Sequence, residues 1–143
     1  MAVKQLSIFV ENREGKLAAI TDAIAGANVD IRAMSVADTQ DFGIFRLIVT
    51  DPEKAKEALE SCGSFVSITE VVGVSIPDEP GSLAKIVRLL AKNNINIEYM
   101  YAFITVSKKY ASVVLRVADN AQAEKILVDN GVKLLEESDI KNM

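Results

Sequence analysis

The chain has 143 residues, half of them hydrophobic, a formal charge of -4 and a pI near 4.9. That length buries a substantial core as one domain or as two small ones, while the acidic balance, without any Lys/Arg-rich run, argues against a nucleic-acid surface. Cys62 is the single cysteine and there is no histidine, which excludes an intramolecular disulfide and offers neither a CxxC redox pair nor a structural zinc set.

In chain order, Leu6, Ile8 and Val10 alternate with Gln5, Ser7 and Phe9, which predicts a strand ending at the polar turn from Glu11 to Gly15. A helix follows, with Leu17, Ile20, Ile24 and Ala27 on one face and Gly26 and Asn28 as stop signals. Val29 to Val36 reads as a strand, residues 38–41 as a turn, and Phe42 to Val49 as the returning strand. Asp51 before Pro52 reads as an N-cap with proline in the first helical turn. That helix is expected to reach Ser61, with Cys62 packing near its end and Gly63 stopping it. Phe65 to Val71 then forms a fourth strand that nearly abuts Val72. The second half repeats the order: strand Val72 to Ile76, turn Pro77 to Gly81, helix Ser82 to Lys92, strand Ile95 to Val106, hairpin Ser107 to Lys109 and strand Tyr110 to Val117. A helix capped by Asp119 follows, then a final strand from Val132 to Glu136 and a polar tail.

The halves are one pattern written twice. An offset of 66 superimposes Gly15 on Gly81, Leu17 on Leu83, Ala18 on Ala84, Ile20 on Ile86, Asn28 on Asn94 and Ile31 on Ile97. Further along, an offset of 68 aligns Leu47 with Leu115, Asp51 with Asp119 and Leu59 with Leu127. A period of about 70 residues is too long for a solenoid unit and suits a duplicated small domain. Residues 1–70 and 71–143 are therefore the expected domains, each marginal alone and expected to share an interface. Strand, helix, strand, strand, helix, strand with right-handed crossovers gives an α+β fold, a ferredoxin-like βαββαβ sandwich made twice, each with an antiparallel sheet and both helices on one face.

The chemistry this permits is binding rather than catalysis. Without histidine or a serine beside a base, no acid-base or nucleophilic centre is visible, so an enzyme is not expected; Asp78, Glu79 and Asp30 are the only carboxylates to test for one. Adjacent Asp78 and Glu79 are an ordinary solvated turn rather than a metal pair, and no phosphate-cradling GxGxxG or GxxxxGK[ST] occurs. No cofactor and no metal are implied. Tyr99, Tyr101 and Phe103 share a strand face, as base-stacking sheets do, but lack the basic residues that accompany them, and packing against another sheet is the simpler use. Apolar residues on both sides of Phe42 to Val49 predict dimerisation through the helix-free faces. Neither a charged-then-apolar leader nor an apolar run of about 18 residues is seen, so a cytoplasmic protein that does not enter membranes is expected.

The segment Ile76 to Tyr101, with Pro77, Asp78, Pro80, Gly81, Leu83 and then Ile95, Asn96 and Ile97, resembles the ACT domain, a regulatory module that binds amino acids, and Val10 to Leu17 is similar to the serine-binding loop of the phosphoglycerate dehydrogenase regulatory domain. The resemblance covers nearly the whole chain, with no attached catalytic domain. It implies ligands held where the first loop of one domain meets the second strand of its neighbour, hence up to two sites. Amides near Gly15 and Gly81 would take the ligand carboxylate, Asn12, Asp30, Asp78 and Asn96 would accept from its ammonium group, and Leu17, Met34, Leu83 and Met100 would form the side-chain pocket, with Leu17 and Leu83 in the core in any case. The loops also contribute Arg13, Glu14 and Lys16, and Glu79, Pro80 and Ser82. Glu14 departs from the proline of repeat two, and Arg13 and Lys16 charge the first loop, so Pro77 to Leu83 is the closer match. The resemblance implies a free amino acid as ligand, a homodimer, and a sensor that signals through subunit or partner contacts. The alternative is an adaptor with a vestigial site that binds a metabolic enzyme.

Overall fold

A computed structural model describes residues 2–38, 40–104 and 107–143, and the backbone alone of Asp38. The elements run β1 (Val3–Glu11), α1 (Lys16–Gly26), β2 (Ile31–Asp38), β3 (Phe42–Val49), α2 (Pro52–Ser61), β4 (Val66–Pro77), α3 (Ser82–Lys92), β5 (Tyr99–Ala102), β6 (Tyr110–Arg116), α4 (Asn120–Asp129), β7 (Lys133–Leu134) and α5 (Glu137–Lys141). The chain divides into two compact units, Lys4–Thr69 with Ile140–Met143, and Met1–Val3 with Glu70–Asp139; the boundary at Glu70 falls inside β4. We call them the first and second unit.

In the first unit the strand order is β2-β3-β1-β4. β1 and β3 pair antiparallel with Leu6 opposite Leu47 and Glu11 opposite Phe42. Alternation puts Leu6, Ile8, Val10, Phe45, Leu47 and Val49 on the face that packs on Ile20 and Ile24 of α1 and Ala55 and Leu59 of α2. The second unit repeats the order as β5-β6-β4-β7. Val72, Val74 and Ile76 face Ile86 and Leu90 of α3 and Ala123 and Leu127 of α4. Both units are thus ferredoxin-like, with two helices on one face of an antiparallel sheet.

The repeat extends to the caps. Asp51 Oδ1 accepts from the Lys54 amide at 3.2 Å, and Asp119 Oδ1 from the Gln122 amide at 3.1 Å, each satisfying one first-turn donor. Asn28 and Asn94 leave α1 and α3 at φ 57° and 58°, the left-handed conformation that asparagine tolerates.

Several local expectations change. Phe65 to Val71 and the strand from Val72 are one strand, β4. The predicted strand from Ile95 starts only at Tyr99, because the Ile95 amide turns back to the Leu90 carbonyl at 2.9 Å and ladder pairing begins when Glu98 bonds Arg116. Its predicted end at Val106, and Thr39 in the first hairpin, lie outside the described residues. The final strand is only Lys133–Leu134. What reads as a polar tail contains α5, opened by Asp139 Oδ2 accepting from the Glu136 amide at 2.8 Å, with Ile140 only 1% exposed. Cys62 is exposed at the end of α2 rather than packed. Leu17 and Leu83 are exposed as well, not core: each lies one turn ahead of the first residue of its helix to reach the sheet, Ile20 or Ile86.

On the face away from its helices the first unit buries Ala33 and Ile48 completely. A bulge at Arg32 interrupts the β2–β3 register and re-aims that side chain. Its Nε donates to the Ile140 carbonyl at 3.1 Å and its Nη2 to that of Lys141 at 3.4 Å, tying the C-terminus to the unit.

Candidate functional site

The two strand-to-helix loops are built alike, bond for bond. The amide of Asn12 donates to the Asp41 carbonyl at 2.9 Å and that of Asp78 to Lys109 at 2.9 Å. Arg13 donates back to Glu11, and Glu79 to Pro77; Lys16 donates to Arg13, and Ser82 to Glu79; the first full helical bonds run from Ala19 to Gly15 and from Lys85 to Gly81. Gly15 at φ 83° and Gly81 at φ 90° are the N-caps, and neither helix has a side-chain cap. A Cβ at either glycine would meet nothing within 4 Å, so glycine is required by its left-handed φ rather than by crowding. With the Lys16 and Ser82 amides so bonded, the first-turn amides left for solvent or a ligand are those of Leu17 and Ala18 and of Leu83 and Ala84, at the positive end of an eleven-residue helix.

The loops differ in what they display. Arg13 Nε pairs with Glu11 Oε2 at 2.7 Å, and Asn12 Nδ2 reaches the Gln40 carbonyl at 3.4 Å, so much of the first loop's polarity is spent within it. In the second, Asp78 and Glu79 have no side-chain bond of that kind among the described residues, although both loops are equally exposed.

Sequence-predicted residues group at two ends of each sheet. Asn12, Arg13, Glu14, Gly15, Lys16 and Leu17 gather at one end of the first unit, where Asn12 adjoins Asp41. Asp30 adjoins Thr50, with its amide bonded to Thr50 Oγ1 at 3.0 Å. Asp41 and Thr50 lie nine residues apart along the β3 segment, or about 30 Å at strand rise. Asp30 and Asn12 of one unit therefore cannot hold the same small ligand. Asp30 is instead paired with Arg32 Nη1 at 3.1 Å. The second unit repeats this separation, with Asp78, Glu79, Pro80, Gly81, Ser82 and Leu83 at one end beside Lys109 and Asn96 at the other, two residues before the Glu98–Arg116 pairing. Met34 and Met100 occupy matching places on the outer strands β2 and β5, both exposed.

A cleft opens beside each loop, on the side away from the outer strand. In the second unit it has a volume of about 610 Å³ between the start of α3 and the turn after α4, walled by Ile76, Ile86, Leu89 and Val132 with Glu79, Ser82, Lys85 and Asn130. In the first unit the corresponding cleft is about 250 Å³, and its lining follows the repeat: Val10 for Ile76, Lys16 for Ser82, Ala19 for Lys85, Ile20 for Ile86, Cys62 for Asn130. Nothing in the sequence marks Lys85, Leu89, Asn130 and Val132 as cleft residues. The signal lies in the Asn130–Gly131 stop, which the offset of 68 aligns with Cys62–Gly63, but nothing local says that this turn returns to α3. Among the described residues no group of three or more Asp, Glu or Cys side chains is placed to hold a metal, and no helix is long and apolar enough to cross a membrane.

A family model for the ACT domain pair matches residues 1–143. The chain belongs to that family. As an ACT domain pair it is of a regulatory, amino-acid-binding module type rather than of a catalytic one. A protein of solved structure from Bacteroides thetaiotaomicron is 40% identical, with TM-score 0.93 over 100% of this chain and 98% of that one. The regulatory subunits of aspartate kinase from Thermus thermophilus (ligand-free form) and Thermus flavus share the fold at 18% and 19% identity. Their TM-scores are 0.64 and 0.60, over 90% and 88% of this chain and 92% and 90% of theirs. A comparison with curated proteins returned no match.

Proposed function

We propose that this ACT domain pair is a cytoplasmic sensor, not an enzyme, that binds a free amino acid and relays its presence through subunit or partner contacts. The observation that carries the reading is the loop made twice with the same four backbone bonds around an uncapped, glycine-started helix, in a chain of this family. First-turn amides beside Gly15 and Gly81 would take the ligand carboxylate, and Asn12 or Asp78 its ammonium group. Asp30, Asn96, Met34 and Met100 lie too far along their own sheets to complete the same site, so in this reading they serve the loop of a neighbouring module, which we place in a second copy of the chain. Exposure of Leu17 with Met34, and of Leu83 with Met100, supports this: the same two apolar positions are left uncovered in both units, as an interface needs.

The test is thermal melting of the purified protein against each common amino acid at millimolar concentration, with nucleotides and divalent metals as controls. A ligand at a hundred times its dissociation constant adds about 2.7 kcal/mol and should raise the midpoint by roughly 5 to 10 °C. A response to one amino acid or one chemical group of them is expected; a flat panel overturns the reading. The adaptor reading then takes its place, supported by Phe9 and Phe42, which are 58% and 46% exposed with ring centroids 5.8 Å apart.

A further inference from the structure

Among the described residues α3 is the one helix whose charged side chains all have the same sign. It carries Lys85, Arg88 and Lys92 and no acid, whereas α1, α2, α4 and α5 each mix the two signs. Spacings of three and four residues put the three cations in one stripe, about 10 Å long at helical rise, and all three are exposed. None has an ion-pair partner among the described residues. The fold gains nothing from this arrangement. Like charges at those spacings oppose helix formation, and Lys85 lies next to the first turn, near the positive end of the dipole, where no acid offsets it. At the corresponding positions of α1 stand Ala19, Asp22 and Gly26, so the repeated skeleton does not need the stripe.

We propose that the outer face of α3 docks an acidic segment of another protein, with carboxylates on Lys85, Arg88 and Lys92 and an apolar side chain beside Leu89. Leu89 falls between Lys85 and Lys92 on the same side of the helix and is only partly buried, which suits an amphipathic peptide better than a phosphate backbone with nothing apolar to set there. The chain's charge of -4 and the shortness of the stripe point the same way, since a nucleic-acid surface draws on many phosphates. A second copy is a poor fit. The described helix with three acids along one face is α2, with Glu53, Glu57 and Glu60, and two of these are already paired, Glu53 with Lys4 and Glu60 with Lys56. The inference gives the relay a partner, and it rests on the sensor reading only for that relay: docking itself needs no amino acid.

The test titrates a helical peptide of about 15 residues, with glutamates three and four residues apart along one face and a leucine among them, into the isotope-labelled full chain, followed by amide NMR shifts. The shifts should concentrate on α3 and fade as salt is raised. Lys85→Gln, Arg88→Gln or Lys92→Gln alone should weaken binding about two- to fivefold, and the three together about tenfold or more; Lys54→Gln, on the exposed side of α2, should leave it unchanged. The triple variant should melt no lower than the wild type, because the stripe does not serve the fold. A lower midpoint, no binding at millimolar peptide, or equal binding to the triple variant overturns the proposal. So does tighter binding of a single-stranded oligonucleotide or of phosphatidylserine vesicles through the same residues, or self-association that the triple variant abolishes. A flat amino-acid panel beside intact peptide binding removes the sensor reading and leaves this surface standing; an amino-acid response without peptide binding removes the surface alone.

Discussion

The two units keep the same skeleton and differ in what they cover. Position by position, Ala33 and Ile48 of the first correspond to Tyr99 and Arg116 of the second, and Arg32 to Glu98. Ala33 and Ile48 are fully buried on the face away from the helices, beside an arginine that grips the C-terminal carbonyls. Tyr99 and Tyr101 are half-buried and stack on one another at 6.5 Å, while Glu98 meets Arg116 at 3.5 Å. On the loop side the first unit spends Arg13 on Glu11, and the second has the wider of the two matching clefts. Duplication has thus left the first unit the one that holds Ile140 and the second the one with the wider cleft.

Breaking the anchor should have the largest effect. Ile140 is 1% exposed, and its own carbonyl accepts from Arg32. Ile140→Ala should lower the unfolding free energy by about 2 to 5 kcal/mol, the usual cost of emptying a buried aliphatic site, measured by urea titration with an unchanged m-value. A loss below about 0.5 kcal/mol would mean that α5 lies on the surface without holding it, and the contrast between the units would go with it.

The shared skeleton is tested at the two glycine caps, with a smaller effect. Because nothing lies within 4 Å of a Cβ at Gly15 or Gly81 and both have positive φ, valine at either position costs backbone strain of about 1 to 3 kcal/mol. The expected result is a matched loss of stability for Gly15→Val and Gly81→Val, each lowering the midpoint by several degrees in a melting experiment. Unequal losses would show that the two loops are not held by the same physics despite their identical bonding.

The sequence made the skeleton legible because the relevant physics is local and was written twice. Alternation in Leu6 to Val10 and in Val72 to Ile76, the caps at Asp51 and Asp119, and the glycine-started helices are short-range signals, and each repeat corroborated the other. What stayed hidden depends on contacts between distant residues. Leu17 and Leu83 have core periodicity but sit ahead of the point where the helix meets the sheet. Ile95 has strand character, yet its amide is claimed by Leu90. Ile140 is one apolar residue in a polar stretch, and only Arg32, 108 residues earlier, makes it an anchor. The cleft is hidden for the same reason, since Ser82 and Asn130 come together only through the packing of α3 and α4. The loop residues at the first-helix start were readable; the separation of Asn12 from Asp30 along the sheet was not.

The smallest effect concerns a pair that only the first unit has. Lys4 at the start of β1 bonds Glu53 in the first turn of α2; the aligned positions in the second unit are Glu70 and Ala121. The hydrogen bond from Lys4 holds the Glu53 carboxyl below its ordinary value, helped by a backbone hydrogen bond and by the lysine's charge and opposed by slight burial. A depressed folded-state value means that the carboxylate stabilises the fold above its unfolded value, and that this contribution disappears as pH falls through the folded one. Both side chains are well exposed, so solvent and salt screen the pair and its contribution is small. Between neutral pH and about pH 4, the wild type should lose slightly more stability than Lys4→Met, and the difference should shrink in high salt. Equal pH profiles for the two proteins would place the pair among surface contacts that contribute nothing measurable, leaving buried Ile140 as the feature that sets the first unit's stability apart.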